Sequence, residues 1–415
     1  MKWIKPSAIN GTVHASPSKS MTIRATAMSL LCRGKSQLHH YSVCDDALAG
    51  IGIAKSLGAE MKSEKSCLHI MGGGPFQETT LDCVESGLCM RMFTPIAGLF
   101  NTEMTLIGTR TILKRPMGMM EQPLEQLGAC FRTSNGFPPI RIHGPLRGGK
   151  VRIDGSLGSQ FLTGLLISLP LCRADSEVTV DNLKSKPYVR MTLSLLQRFG
   201  IVIDHDEALQ QFHIPGNQLY KHQSVPIEGD WSGAGFLLVA GAINSKVSIR
   251  NLQLQSCQAD RRILSVLESA NARVSVRDDE VTVEKSDLKA FQYDATESPD
   301  LFPPIAVLAC FCQGRSMIQG AERLRYKESN RADALMTELT RIGAKITVEG
   351  DRMAITGTQL SGGMFGSHGD HRLAMAGAIA GLNSVLGVGI SGWDCISKSY
   401  PNFFKDLKSI GGDVR

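Results

Sequence analysis

Aromatic residues are scarce in this sequence, at 6% with three tryptophans, and no long Lys/Arg run accompanies a formal charge of only +6. Neither the stacking platforms nor the basic stripes of a nucleic-acid groove are present. The eleven cysteines are scattered, the closest being Cys310-x-Cys312, and C-x-x-C does not occur. No zinc or other metal-ligand spacing is written here, and the thiols read as reduced, mostly buried groups of a cytoplasmic protein. No phosphate-binding P-loop and no G-x-G-x-x-G fingerprint appears. Met1-Lys2-Trp3-Ile4-Lys5-Pro6 lacks a signal-peptide core. The longest weakly polar stretch, Leu373 to Ile390, is broken by Asn383, Ser384 and several glycines. It reads as a buried helix leading into a strand, and no membrane span is expected. With 42% hydrophobic and 20% charged residues, the chain has the composition of a globular enzyme or binding protein.

What is present is a period. An apolar residue, a Gly or Asn, and a small or apolar residue recur at Leu57-Gly58-Ala59, Leu127-Gly128-Ala129, Phe199-Gly200-Ile201, Ala270-Asn271-Ala272, Ile342-Gly343-Ala344 and Ile410-Gly411-Gly412. Successive Gly/Asn positions lie 70, 72, 71, 72 and 68 residues apart. A fixed period sets the architecture before any local reading. Each signature is a helix stop, with Gly or Asn taking the left-handed position just past the last turn. Alternating strands follow, clearest at 273–283 and 345–355 and again at 201–214. Helices are expected over 19–31, 159–171, 188–199, 232–242, 260–270, 328–342 and 370–381. Six units of about 70 residues fill the 415 residues. That length exceeds one ordinary core, so an α/β (α+β) protein of two domains, three repeats each, is expected.

Several loops carry charge where a helix begins. In Pro17-Ser18-Lys19-Ser20-Met21-Thr22-Ile23-Arg24, free N–H groups and the positive helix end favour an anion. Lys19 and Arg24 add cations where acids are usual, although a capped helix with a solvated basic face would look the same. Gly155-Ser156-Leu157-Gly158-Ser159-Gln160 is a second such loop, and Gly366-Ser367-His368-Gly369-Asp370-His371-Arg372 a third, in which Asp370 could be an N-cap. Arg325-Tyr326-Lys327-Glu328-Ser329-Asn330-Arg331 sets one carboxylate among cations on one expected helix face. Such a carboxyl should stay ionised, and needs burial or partner anions to serve as an acid near neutrality. Arg91, Arg115 and Lys398 are further isolated cations. Asp300 precedes Pro303-Pro304 and could cap a helix. Ser185-Lys186-Pro187-Tyr188 lies in a loop before one.

Taken together, these motifs resemble the 5-enolpyruvylshikimate-3-phosphate synthase family of enolpyruvyl transferases over nearly the whole length. The resemblance rests on Ser18-Lys19-Ser20 with Arg24, on Gly155 through Leu162, on Ser185 through Tyr188, on Pro299-Asp300 and on Lys327-Glu328 with Arg331. Asp370-His371-Arg372 and Lys398 before Tyr400-Pro401 complete it. It implies two domains of three βαβαββ units each, 15–226 and 1–14 plus 227–415, with a hinge near Pro226-Ile227-Glu228, closing over the substrates. The first domain is expected to carry shikimate-phosphate contacts, the second phosphoenolpyruvate and catalytic ones. The implied reaction moves the enolpyruvyl group of phosphoenolpyruvate to the 5-hydroxyl of shikimate 3-phosphate and releases phosphate, before chorismate in aromatic amino-acid synthesis. By matching position, shikimate 3-phosphate would be held by Lys19, Ser20, Arg24, Ser159, Gln160, Ser185, Asp300 and Lys327. Phosphoenolpyruvate would be held by Lys19, Gly87, Arg91, Arg115, Gln160, Arg331, Arg372 and Lys398. Asp300, Glu328 and Lys19 would be catalytic. No cofactor or metal is implied, and a cytoplasmic monomer without nucleic-acid or membrane partners is expected.

The chain departs from that family's pattern in places. The loop before Arg91 commonly reads Gly-Asn-Ala/Ser-Gly-Thr and here reads Val84-Glu85-Ser86-Gly87-Leu88. A carboxylate near an anion site should weaken phosphoenolpyruvate, and the herbicide glyphosate that competes with it, unless it pairs with a cation. Gly158 replaces a common Ser, and Arg323 stands where some members have Asn. Two other readings stay open. A UDP-N-acetylglucosamine enolpyruvyl transferase would want Lys-Asn in the first loop and a reactive Cys near residue 115, whereas Ser20 follows Lys19 and no Cys lies between Cys89 and Cys130. A non-catalytic anion-binding relative would have no use for the acids Asp300 and Glu328. RNA 3′-phosphate cyclases share the repeat but need nucleic-acid contacts.

Overall fold

The computed structural model describes residues 1–415. The chain divides into two compact units, Met1–Ser16 with Glu228–Arg415, and Pro17–Ile227. The divisions fall after Ser16 and after Ile227, not after 14 and 226. Backbone hydrogen bonds explain the difference. The Ala15 N–H donates to the Arg250 carbonyl (3.0 Å), and the Ser16 carbonyl accepts from the Asp230 N–H (2.7 Å). The Ile227 N–H donates instead to the His39 carbonyl (3.0 Å).

Each unit contains three four-stranded sheets. One repeat shows the order: strand Gln292–Asp294, helix Phe302–Cys310, strand Arg315–Gln319, helix Arg331–Arg341, then strands Lys345–Glu349 and Arg352–Thr356. The first two strands pair in parallel and the last two form a hairpin whose second arm joins Arg315–Gln319. This is the βαβαββ unit. Two strands close repeats from a distance in the N-terminal segment: Asn10–His14 lies parallel to Lys246–Arg250, and Lys2–Lys5 completes the sheet of Val388–Ser391 and Asp413–Val414. In the other unit, Ser224–Pro226 supplies the leading strand beside Gly34–His39.

The six helix stops have a shared geometry. Gly58, Gly128, Gly200, Asn271, Gly343 and Gly411 all have positive φ, from 62° to 106°. In each case the next residue's N–H reaches back five residues, as Ala59 to the Ala54 carbonyl and Ala272 to the Leu267 carbonyl. That bond pattern satisfies two orphan carbonyls per helix and turns the chain into the next hairpin.

Three helices per unit are buried nearly all round: Lys19–Leu30, Gly87–Ala97 and Gln160–Ser168 in one, Trp231–Ile243, Phe302–Cys310 and His371–Gly381 in the other. Four of the six, Lys19–Leu30, Gln160–Ser168, Trp231–Ile243 and His371–Gly381, match helices expected from the sequence. Gly87–Ala97 and Phe302–Cys310 are not among the helices read by periodicity, nor are Asp45–Ser56, Glu121–Gln126 and Phe403–Ser409. Other ends move as well. The stretch read as 159–171 is a helix at Gln160–Ser168 continued by a 3-10 turn, and 260–270 splits into a 3-10 turn and the helix Ile263–Ser269. The helix expected from 328 starts at Arg331, because Lys327–Asn330 bends after the 3-10 turn Glu322–Tyr326. Leu373 to Ile390 is a buried helix followed by the strand Val388–Ser391. No helix is long and apolar enough to cross a membrane.

Candidate active site

Several candidate residues lie at the N-terminal ends of buried helices, where N–H groups are unsatisfied and the helix dipole is positive. In the unit Pro17–Ile227, Ser18 caps Lys19–Leu30 by accepting from the Met21 N–H (3.4 Å), and Ser86 caps Gly87–Ala97 by accepting from the Cys89 N–H (3.3 Å). Lys19 and Ser20 open the first of these helices, Gly87 the second and Gln160 the third.

Cations join these helices. The Lys19 ammonium rests 2.8 Å from Asp46, each side chain largely buried. Arg24, 1% exposed, lies one turn after Ser20 on the same face. Its guanidinium donates to the Thr192 hydroxyl (2.9 Å), the Ser20 carbonyl (2.9 Å) and the Thr163 hydroxyl (3.4 Å), beside the Tyr188 ring. Burial among neutral groups lowers its pKa to about 10. Arg91 donates to Gln160 Oε1 (2.9 Å) and to the Pro116 carbonyl (3.2 Å). Arg115 is 5% exposed and lies against Gly87, where a Cβ would stand 2.2 Å from its Nη1. Ser159 and Ser185 are buried, and Ser185 takes φ 61° just before helix Lys186–Arg198.

The departures have local reasons. Gly158 has φ +130°, a conformation a Ser would strain to adopt. Leu88 is buried in the core of its unit. Arg323 donates to the Thr296 carbonyl, bracing the turn before Lys327. Glu85 is paired: its Oε2 accepts from the Thr111 hydroxyl (2.7 Å) and N–H (3.2 Å), with Arg110 3.8 Å from Oε1.

In the other unit the hub is Arg331, which is 0% exposed. Its Nε donates to Asp370 Oδ2 (2.8 Å) and its Nη2 to Asp370 Oδ1 (3.3 Å). Nη2 also reaches Glu328 (2.6 Å), and Nη1 reaches Asp300 (3.0 Å). Burial alone would lower this guanidinium's pKa, but Asp370, Glu328 and Asp300 together hold it above the ordinary arginine value. Asp300 also lies 3.1 Å from Arg372 and 3.7 Å from Lys327. It sits in a 3-10 turn and does not cap the following helix, which has no side-chain cap. Asp370 is an N-cap, accepting from the Arg372 N–H (2.9 Å), and a ligand of Arg331 as well. Lys398 donates to the Gly369 carbonyl (2.9 Å). Burial lowers the Lys327 ammonium to about 8, with Asp300 only partly restoring it. Behind this cluster, Ser232 donates to Asp260, whose carboxyl is raised to about 7 by burial first and then by Asp300.

Asp46, Thr163, Thr192 and Asp260 were not foreseen. Asp45-Asp46 opens helix Asp45–Ser56, and acids in a first turn are ordinary dipole partners. No sequence signal separates such an acid from one holding a lysine.

Three comparisons bear on the chain. Residues 4–407 match the family model described as EPSP synthase (3-phosphoshikimate 1-carboxyvinyltransferase). A 3-phosphoshikimate 1-carboxyvinyltransferase of Clostridium perfringens is 36% identical over 418 residues, covering 99% of this chain and 98% of the relative. One of Methanocorpusculum labreanum is 38% identical over 419 residues, covering 99% of each. A solved EPSP synthase from Acinetobacter baumannii superposes with a TM-score of 0.85 at 22% identity, covering 100% of this chain and 99% of that one, which shows the shared fold.

Proposed function

The chain belongs to the EPSP synthase (3-phosphoshikimate 1-carboxyvinyltransferase) family, and from that premise we propose how its residues divide the work of that family's reaction. The reaction transfers an enolpyruvyl group from phosphoenolpyruvate to the 5-hydroxyl of shikimate 3-phosphate. Each substrate carries a phosphate and a carboxylate, so cations and helix N-termini are the groups that must receive them. In the unit Pro17–Ile227, Lys19, Ser20, Arg24, Ser159, Gln160 and Ser185 are assigned to shikimate 3-phosphate. Gly87, Arg91 and Arg115, with Lys19 and Gln160, are assigned to phosphoenolpyruvate. In the other unit, Lys327 serves shikimate 3-phosphate, and Arg331, Arg372 and Lys398 serve phosphoenolpyruvate.

Addition requires a proton on the methylene carbon and removal of one from the attacking hydroxyl. Glu328 delivers the first and Asp300 accepts the second, giving a tetrahedral ketal that still bears its phosphate. Elimination reverses these roles: the methyl group gives up a proton, the C–O bond to phosphate breaks and the enol ether forms again on the new oxygen. Lys19 stabilises charge that develops on the way. The observation that carries this reading is the pair Asp300 and Glu328, held 3.0 and 2.6 Å from one buried guanidinium. A site built solely to bind polyanions gains nothing from two acids so placed. Lys327 and Arg372 also face Asp300, an arrangement that favours the anionic form a base needs.

The direct test is phosphate release from phosphoenolpyruvate at saturating shikimate 3-phosphate. Release that depends on both substrates is expected. None above background would leave a binding protein on an enzyme's fold.

A further inference from the structure

We propose that Glu85 is a positioning residue that clamps the turn delivering Arg115, and thereby sets affinity for phosphoenolpyruvate. The proposal rests on the assignment of Arg115 to that substrate. A buried carboxylate two residues before Gly87 would repel an anion if its charge faced one. Its oxygens are turned elsewhere. Oε2 takes both the hydroxyl and the backbone N–H of Thr111, at 2.7 and 3.2 Å. Thr111 is the second residue of the 3-10 turn Arg110–Lys114, whose own N-cap residue, Thr109, makes no side-chain cap. Glu85 thus caps this turn from another segment, supplying an acceptor where an unsatisfied N–H and a positive helix end need one. The turn starts from Arg110 in the left-handed region, at φ 51°, a conformation that costs a non-glycine residue free energy.

The turn ends at Arg115, whose N–H closes on the Ile112 carbonyl (3.0 Å). From there the chain meets helix Gly87–Ala97 twice more. The Arg115 guanidinium lies on bare Gly87, and the Pro116 carbonyl accepts from Arg91 (3.2 Å). Three fastenings therefore hold residues 110–116 to one helix start, and Glu85 is the first. Its charge is spent within the protein, and its effect on substrate passes through where Arg115 stands.

The test uses Glu85→Ala, Glu85→Gln, Arg115→Ala and the double variant Glu85→Ala/Arg115→Ala, with KM measured for both substrates and hydrogen exchange over residues 109–116. Glu85→Ala should raise KM for phosphoenolpyruvate about tenfold, the scale of one lost hydrogen bond to a charged group, and leave KM for shikimate 3-phosphate unchanged. Glu85→Gln keeps an acceptor oxygen for Thr111 and should restore most of the affinity. In the Arg115→Ala background, Glu85→Ala should add nothing. Exchange of 109–116 should quicken in Glu85→Ala and stay slow in Glu85→Gln. Unchanged exchange overturns the clamp, and full additivity in the double variant overturns its action through Arg115. A fall in KM for Glu85→Gln would mean the charge itself repels substrate, which also overturns the proposal. Arg115→Ala with unaltered KM for phosphoenolpyruvate refutes the underlying assignment, and the exchange result still decides the clamp separately.

Discussion

Replacing Asp370 by Asn strips one charge from a pair in which both side chains are 0% exposed. The shape is kept, and the remaining carbonyl oxygen can still accept the Arg372 N–H that Asp370 now caps. What is lost is the two-bond grip on Arg331. The new amide also turns N–H groups toward a guanidinium that can only donate. Removing one partner of a buried ion pair costs about 3–5 kcal/mol when the other is left bare. Arg331 keeps Glu328 at 2.6 Å and Asp300 at 3.0 Å, so the loss should be about 2–3 kcal/mol, below that range. Trp3, Trp231 and Trp393, the chain's three tryptophans, all lie in the unit Met1–Ser16 plus Glu228–Arg415. Tryptophan fluorescence in urea therefore reports that unit without assuming that the whole chain unfolds in one step. With a urea slope of about 1–3 kcal/mol/M, the midpoint should fall by roughly 1 M. Asp413→Asn, which breaks the exposed pair with Arg415, should leave it in place. A midpoint for Asp370→Asn within about 0.2 M of the parent, less than the slope converts into one ordinary hydrogen bond, would refute the hub.

Glu328→Gln should lower turnover by about 100-fold or more while KM for either substrate changes little, as expected of a lost general acid; turnover within about threefold of the parent would remove Glu328 from that role. Lys327 gives a pH signature. Its pKa is lowered from 10.5 to about 8 in the folded protein, so the free protein loses this cation as pH rises through about 8. kcat/KM for shikimate 3-phosphate should then fall about tenfold per pH unit above that point, and the fall should vanish in Lys327→Arg; a profile flat to pH 10 in the parent removes Lys327 from the binding set. The linked stability runs the other way: the unfolded chain holds the proton more tightly, so resistance to unfolding should rise between about pH 8 and 10.5. Gly87→Ala must move the Arg115 guanidinium, which stands 2.2 Å from the new methyl. Steady-state KM for phosphoenolpyruvate should rise while that for shikimate 3-phosphate holds, and equal effects on both would place Arg115 elsewhere.

The repeat was legible because one conformational job recurs six times. Past each of these helices the chain needs a left-handed residue, and Gly or Asn fills it. The cations at the helix starts were legible for the opposite reason, since they break the usual preference for acids there. What could not be read is what those cations touch. Asp370 reads as a cap and is one, yet the same carboxylate grips Arg331, 39 residues away in sequence. The spacing of Lys327, Glu328 and Arg331 suggested a shared helix face, but the helix begins at Arg331, and Glu328 meets it from the bend before. Helices Gly87–Ala97 and Phe302–Cys310 carry prolines, Pro95 and Pro303-Pro304, a residue that ordinarily interrupts a helical pattern.

The two units hold their charges differently, and this bears on how anions are met. In Pro17–Ile227, Lys19 pairs with Asp46, and Glu85 engages Thr111 and Arg110. Arg24 and Arg91 donate to neutral hydroxyl, amide and carbonyl oxygens. A neutral acceptor yields to a phosphate at little electrostatic cost. In the other unit, Arg331 is shared by three carboxylates, and Asp300 alone engages Lys327, Arg331 and Arg372. An anion arriving there must loosen existing ion pairs. On the proposed assignment, Asp300 and Glu328 would then lose the cations that hold their charge, and their proton affinity would rise where the chemistry needs a base and an acid. On this reading the first cluster captures its substrate, and the second converts the arrival of negative charge into proton transfer.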